Sequence, residues 1–259
     1  MHRKKMVVAL AFILSVVMLL SSGMAVNAQH NAYAPARSNA IVNPTDNDVE
    51  SRIFTMNEFD RVIVGGNWRV TYVYGTNHQI RVEMPSRMFD SYNFNVRGRT
   101  LTVERRGLLR STNNSVRPHI FIYAPSLESV NLSGLVTAEN WSPVIGDNFT
   151  INISGSARAN LDLEIAETLT VHASGVSRLT MEGTTRDLKI NGAGVVDIRA
   201  FDLQAIEAGP VRVAGIGTVE LSVTEYLNVN AAGTTRVYFR GDPEVTQRVA
   251  GRARVTNVN

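Results

Sequence analysis

One short pattern recurs seven times between residues 127 and 259, and its fixed point is a glycine: Gly134, Gly155, Gly175, Gly194, Gly217, Gly233 and Gly251. The intervals are 21, 20, 19, 23, 16 and 18 residues. A repeat near twenty residues marks a solenoid, in which a unit that cannot bury its own apolar face buries it against its neighbours. Four residues before the glycine stand Val130, Ile151, Val171, Ile190, Val213, Val229 and Gln247; three before it stand Asn131, Asn152, His172, Asn191, Ala214, Asn230 and Arg248. This alternation of apolar and polar positions is the period-two signature of a half-buried strand. The glycine falls where the strand ends and the chain must turn. The pattern predicts an all-β chain forming a right-handed parallel β-helix, or closely related β-solenoid, in a single elongated domain. Like positions then stack into surface columns roughly 4.7–4.9 Å apart. The asparagines are placed to share side-chain amide hydrogen bonds from coil to coil. Three residues after the glycine, Arg158, Arg178, Asp197, Glu220, Arg236 and Arg254 form a charged column whose Arg178–Asp197 and Glu220–Arg236 neighbours have opposite sign.

The chain opens with the marks of a secretory signal peptide over residues 1–28: Arg3, Lys4 and Lys5, an apolar run over 6–20, and small residues around Val26-Asn27-Ala28. Removing it takes three of the 26 basic residues and none of the 23 acidic ones, leaving 23 against 23. Such a balance gives no general attraction for nucleic acid. The mature chain is expected to carry no membrane span, because the apolar run is short for one and is cleaved. There is no cysteine, so disulfides and thiolate metal sites are excluded. Residues 29–52 lack apolar periodicity and read as a flexible leader. An irregular β start over 53–126 leads into regular coils over 127–259. In that start Val62–Val64, Trp68–Tyr74, Gln79–Met84, Phe94–Val96, Leu101–Glu104 and Pro118–Tyr123 look like strands. Gly65-Gly66-Asn67, Gly75-Thr76-Asn77 and Arg97-Gly98-Arg99 lie between them as turns.

The order of these pieces, from Phe59-Asp60-Arg61-Val62 through Trp68-Arg69-Val70, Thr100–Val103, Ile120–Pro125 and Leu127–Gly134, resembles a family known as GIN domains. The resemblance is clearest at Ser133-Gly134, Ser154-Gly155 and Ser174-Gly175, and in the closing stretch Leu227–Gly233 and Val237–Pro243. It departs at the later anchors, where serine gives way to Ala193, Ile216, Ala232 and Ala250. The family is described as auto-transporter adhesin head domains, similar in fold to right-handed β-helices and typically exported. The resemblance implies an adhesin-like role at the periplasm, outer cell surface or extracellular space, and it brings no catalytic residues with it.

The residues themselves carry no strong catalytic constellation. His30, His78, His119 and His172 have no metal-ligand spacing to one another, and no Gly-x-Ser-x-Gly elbow occurs. Neither a metal nor a cofactor is expected. A polysaccharide lyase or glycoside hydrolase needs paired carboxylates or a base with calcium ligands; Asp162 with Glu164, or Asp197 with Glu220, are the pairs that the pattern places side by side. The reading that these residues favour is an exported, non-catalytic binding module for a glycan, cell-surface polymer or envelope protein; such an enzyme is the alternative, and a purely structural envelope or matrix protein is a third class. For binding, Arg105, Arg106 and Arg110, with Arg117, make a candidate basic patch suited to an anionic polymer. The ligand and the oligomeric state are left open at this point.

Overall fold

The computed structural model describes residues 48–107 and 116–259. The expected signal peptide, residues 29–47 of the leader, and Arg110 lie outside them. Within the described residues the chain is all-β apart from a short 3-10 helix at Ser86–Ser91. The strands are β1 (Val49–Thr55), β2 (Arg61–Tyr74), β3 (Gln79–Pro85), β4 (Tyr92–Arg97), β5 (Thr100–Arg105), β6 (His119–Ala124), β7 (Ser129–Ala138), β8 (Val144–Arg240), β9 (Glu244–Gly251) and β10 (Arg254–Asn257). The leader boundary expected at residue 52 therefore falls inside β1.

These strands form one open, mixed sheet whose main path runs β1-β3-β6-β2-β7-β8-β10. Its first part is antiparallel: β1 pairs with β3, β3 with β6, and β4 with β5. From β2 onward the pairing is parallel. Arg61–Val64 of β2 lies against Thr100–Val103 of β5, and Arg61–Val70 lies against Ser129–Ala138 of β7. Strand β7 then pairs in parallel with β8, Asn131 opposite Asn152 and Gly134 opposite Gly155.

The continuous extended stretch of β8 is 97 residues long, which as a straight strand would measure about 300 Å. It folds back on itself instead, as its glycines show. Gly155 has φ +88°, and a methyl group added there would lie 2.7 Å from the Gly134 carbonyl oxygen and 2.9 Å from its nitrogen. Gly175 meets Gly155 in the same way, Gly194 meets Gly175, Gly215 meets Gly194, Gly233 meets Gly215 and Gly251 meets Gly233. Backbone lies against backbone at this corner, leaving no room for a Cβ.

Two sequence expectations change here. The fifth anchor is Gly215, with φ +127°, not Gly217, which instead sits over the Val196 carbonyl. The error is two residues, so the alternation of buried and exposed positions looked the same in either register. The intervals become more even, 21, 20, 19, 21, 18 and 18. The series also begins earlier. Gly66, φ +109°, lies opposite Gly134, so Gly65-Gly66-Asn67 is a corner inside one strand and not a break between two.

Inside, Val130, Ile151, Val171, Ile190, Val211 and Val229 are buried in file, as are Ala138, Ala159, Leu179, Ile198, Val219 and Val237. At roughly 25 cal/mol per Å² such burial is the main stabilising term, and without disulfides it must suffice. At the start of the sheet Trp68 is fully buried, edge-on to Tyr92 with ring centroids 4.9 Å apart.

Candidate functional site

The corrected register puts Asn131, Asn152, His172, Asn191, Arg212, Asn230 and Arg248 in one outward file, three residues before each glycine. Arg212 replaces the expected Ala214. Next to this file, one residue before each glycine, stand only small side chains: Ser133, Ser154, Ser174, Ala193, Ala214, Ala232 and Ala250. The strand pleat aims both files outward, and the difference in their lengths leaves a groove of about 850 Å³ between the long side chains and the corner. Ala173, Gly192, Val213 and Ala231 lie at its floor.

The asparagine ladder expected from stacking does not form. The contact within the file is Asn191 Nδ2 to His172 Nδ1 at 3.5 Å, at the limit of a hydrogen bond. Asn131, Asn152 and Asn230 make no side-chain hydrogen bond with the described residues, and Arg212 and Arg248 make no ion pair with them. The file therefore presents amide donors, amide acceptors and two guanidinium groups to solvent. It suits an extended polar chain.

On the other side of the glycines the charged column is Thr137, Arg158, Arg178, Asp197, Thr218, Arg236 and Arg254. Arg178 Nε bonds Asp197 Oδ2 at 2.9 Å, as expected, and Arg199 approaches the same oxygen at 3.4 Å. The expected Glu220–Arg236 neighbours do not meet, because the two-residue shift puts Thr218 in the column. The same shift separates Asp197 from Glu220. Asp162 and Glu164 share an outward face of β8, and neither joins a cluster of three metal-ligating groups among the described residues.

The loop arginines divide. Arg105 ends β5, exposed, and Arg106 donates from Nη2 to Asn93 Oδ1 at 3.1 Å. Arg117 turns away to β7, donating to Thr137 Oγ1 at 2.8 Å and to the Leu135 carbonyl at 2.6 Å. Burial first, then the nearby charge of Arg69, pulls its pKa below the ordinary arginine value. His119 is likewise structural. Thr71 Oγ1 donates to the Glu139 carbonyl at 3.1 Å and lies 2.9 Å from His119 Nε2. Having spent its one proton, the hydroxyl accepts, so Nε2 carries the imidazole hydrogen. Burial, and after it Arg69, pushes the His119 pKa down.

Residues 58–243 match the family described as "Putative auto-transporter adhesin, head GIN domain". The chain belongs to that family. The GIN domain also has similar solved structures. A "putative adhesin" from Bacteroides fragilis is 19% identical, with a TM-score of 0.70, covering 82% of this chain and 97% of that one. A "putative adhesin" from Parabacteroides distasonis is 18% identical, with a TM-score of 0.61, covering 82% and 98%. A "putative lipid binding protein" from Parabacteroides distasonis has the same identity and TM-score, covering 82% and 97%. At such identities the likeness is one of fold. No curated protein matches the GIN-domain sequence.

Proposed function

We propose that this GIN domain is an exported, non-catalytic binding module that holds an extended glycan or cell-envelope polymer along the asparagine–arginine file. The observation that carries this reading is the file's unspent hydrogen-bonding capacity: in-register amides and guanidinium groups, free of one another, above a floor of small side chains. Repeated weak contacts along such a line add up to avidity for a repeating polymer. Membership of an adhesin family supports the binding role, and the amino-terminal residues 1–28 have the pattern of an export signal. No helix among the described residues is long and apolar enough to cross a membrane. We read the stack as a right-handed parallel β-helix; its parallel register and serial glycine contacts support that geometry.

The test is affinity electrophoresis of the purified protein through gels carrying neutral or acidic polysaccharides, with product release followed in parallel, with and without calcium. Retention is expected, and Asn152, Asn191 and Asn230→Ala together should abolish it on the neutral polysaccharides. The arginine patch of Arg105, Arg106 and Arg110 is the competing location. Loss of retention after alanine substitution there, with the asparagine variant unaffected, moves the site to that loop. Released sugars or unsaturated products overturn the non-catalytic reading and direct attention to Asp162, Glu164, Asp197 and Glu220.

A further inference from the structure

Across the anchor glycines from the groove, a separate recess of about 570 Å³ is lined by Thr234, Arg236, Gly251, Arg252, Ala253 and Arg254. Arg254 of β10 is the direct partner of Arg236 in parallel register. Like charges placed opposite each other across strands are destabilising. In the same column Arg178 is answered by Asp197 at 2.9 Å. Nothing answers Arg236 and Arg254: among the described residues their side chains, and that of Arg252, make no ion pair or hydrogen bond. All three are exposed. Residues 226–259 hold five basic and two acidic residues, whereas residues 121–225 hold six and thirteen. The last coils, which carry this recess, are thus net positive where the coils before them are net negative.

We propose that Arg236, Arg252 and Arg254 form a binding site for oxyanion groups, sulfate or carboxylate, carried on successive residues of an acidic polysaccharide. The planar guanidinium fork matches the geometry of such groups. Strands in register lie about 4.8 Å apart, an interval comparable with one pyranose unit along an extended glycan, so neighbouring arginines meet neighbouring anionic groups. A bound polyanion removes the repulsion that the empty pair bears. The site is distinct from the groove and relies on the glycan-binding reading only for the identity of the polymer.

Calorimetric titration of the full chain with dextran sulfate, dextran, inorganic sulfate and phosphatidylglycerol vesicles tests it. Dextran sulfate should bind and dextran should not do so at this site. Arg236→Gln with Arg254→Gln should weaken dextran sulfate binding about tenfold or more, while Arg186→Gln, an exposed arginine outside both the recess and the groove, leaves it unchanged. Without ligand the same double variant should melt no lower than the parent, since it relieves repulsion, which also shows that it is folded. Dextran sulfate affinity unchanged in the double variant overturns the site. Vesicles binding more tightly than dextran sulfate, or inorganic sulfate matching it, overturns the polysaccharide assignment. Loss of dextran sulfate binding on Asn191→Ala alone returns the polymer to the groove.

Discussion

At the scale of single residues, the anchor glycines are the least replaceable positions. Gly155→Ala places a methyl group 2.7 Å from the Gly134 carbonyl, on a backbone with positive φ. Strain and overpacking together should cost about 2–4 kcal/mol. Gly146 is an internal control, since a Cβ there meets nothing within 4 Å, and Gly146→Ala should stay within about 0.5 kcal/mol. Urea titration of both variants checks the contrast. His119 gives a second prediction. Its folded pKa is depressed by burial and then by Arg69, so the unfolded chain binds the proton more readily. Stability should be constant above about pH 6.5, the unfolded value, and should fall as the pH drops from there toward the folded pKa. His119→Gln, which keeps a donor for Thr71, should flatten that slope in denaturation measured between pH 5 and 8.

At the scale of elements, one carboxylate ties three pieces of chain together. Asp60 is 3% exposed and accepts from Arg99 Nε at 2.6 Å and Arg61 Nε at 3.2 Å. Its amide donates to the Arg99 carbonyl, and its own carbonyl accepts from the Glu128 amide at the entry to β7. Arg99 belongs to the tight turn between β4 and β5, where Gly98 and Arg99 both have positive φ, as a two-residue hairpin of the right twist requires. The hairpin is thus pinned to β2 by the side chain of its own turn. Burial alone would raise the Asp60 pKa, but the two arginines outweigh it and hold it below the usual range. Its contribution is therefore full above the unfolded value, about 3.9, and is lost as the pH falls through the folded one. Asp60→Asn should cost about 1–2 kcal/mol at neutral pH, discounted because both arginines are half exposed. The difference from the parent should shrink in acid, which thermal melts at pH 7 and pH 3 would show. None of this was visible in the sequence: Phe59-Asp60-Arg61-Val62 marked only where the family resemblance begins, and a bond from residue 60 to residue 99 depends on how the hairpin returns.

At the scale of the whole molecule, the stack was legible because its signal is periodic, and the site was only partly so. Valine and isoleucine before each glycine, with polar residues between them, announce a buried face wherever they occur. The file of Asn131, Asn152, Asn191 and Asn230 was visible for the same reason. Arg212 was missed because Gly215 and Gly217 both satisfy the pattern, and only packing against Gly194 and Val196 distinguishes them. The hydrogen bonds of the asparagines were wrongly expected, since composition fixes which groups face one another but not whether their amides come within bonding distance. Removing one full interval, residues 156–175, should leave a cooperatively unfolding β protein, because Gly175 leaves with its turn and Val176 takes the place of Ser156. Removing residues 156–165 should not. Circular dichroism and thermal melts of the two deletions make the comparison.

The Gly215-Ile216-Gly217 segment has a consequence for how the chain finds its structure. A slip of one residue would turn every valine outward and be rejected at once; a slip of two keeps the faces correct and offers a second glycine at the corner. Nascent chain adding this turn to the stack therefore meets two near-equivalent docking positions, and the native one prevails only when Gly217 settles over the Val196 carbonyl. Only the native alignment puts the guanidinium of residue 212 in line with the amides of residues 191 and 230. That single step of assembly decides whether the file of amides and guanidinium groups is continuous or interrupted.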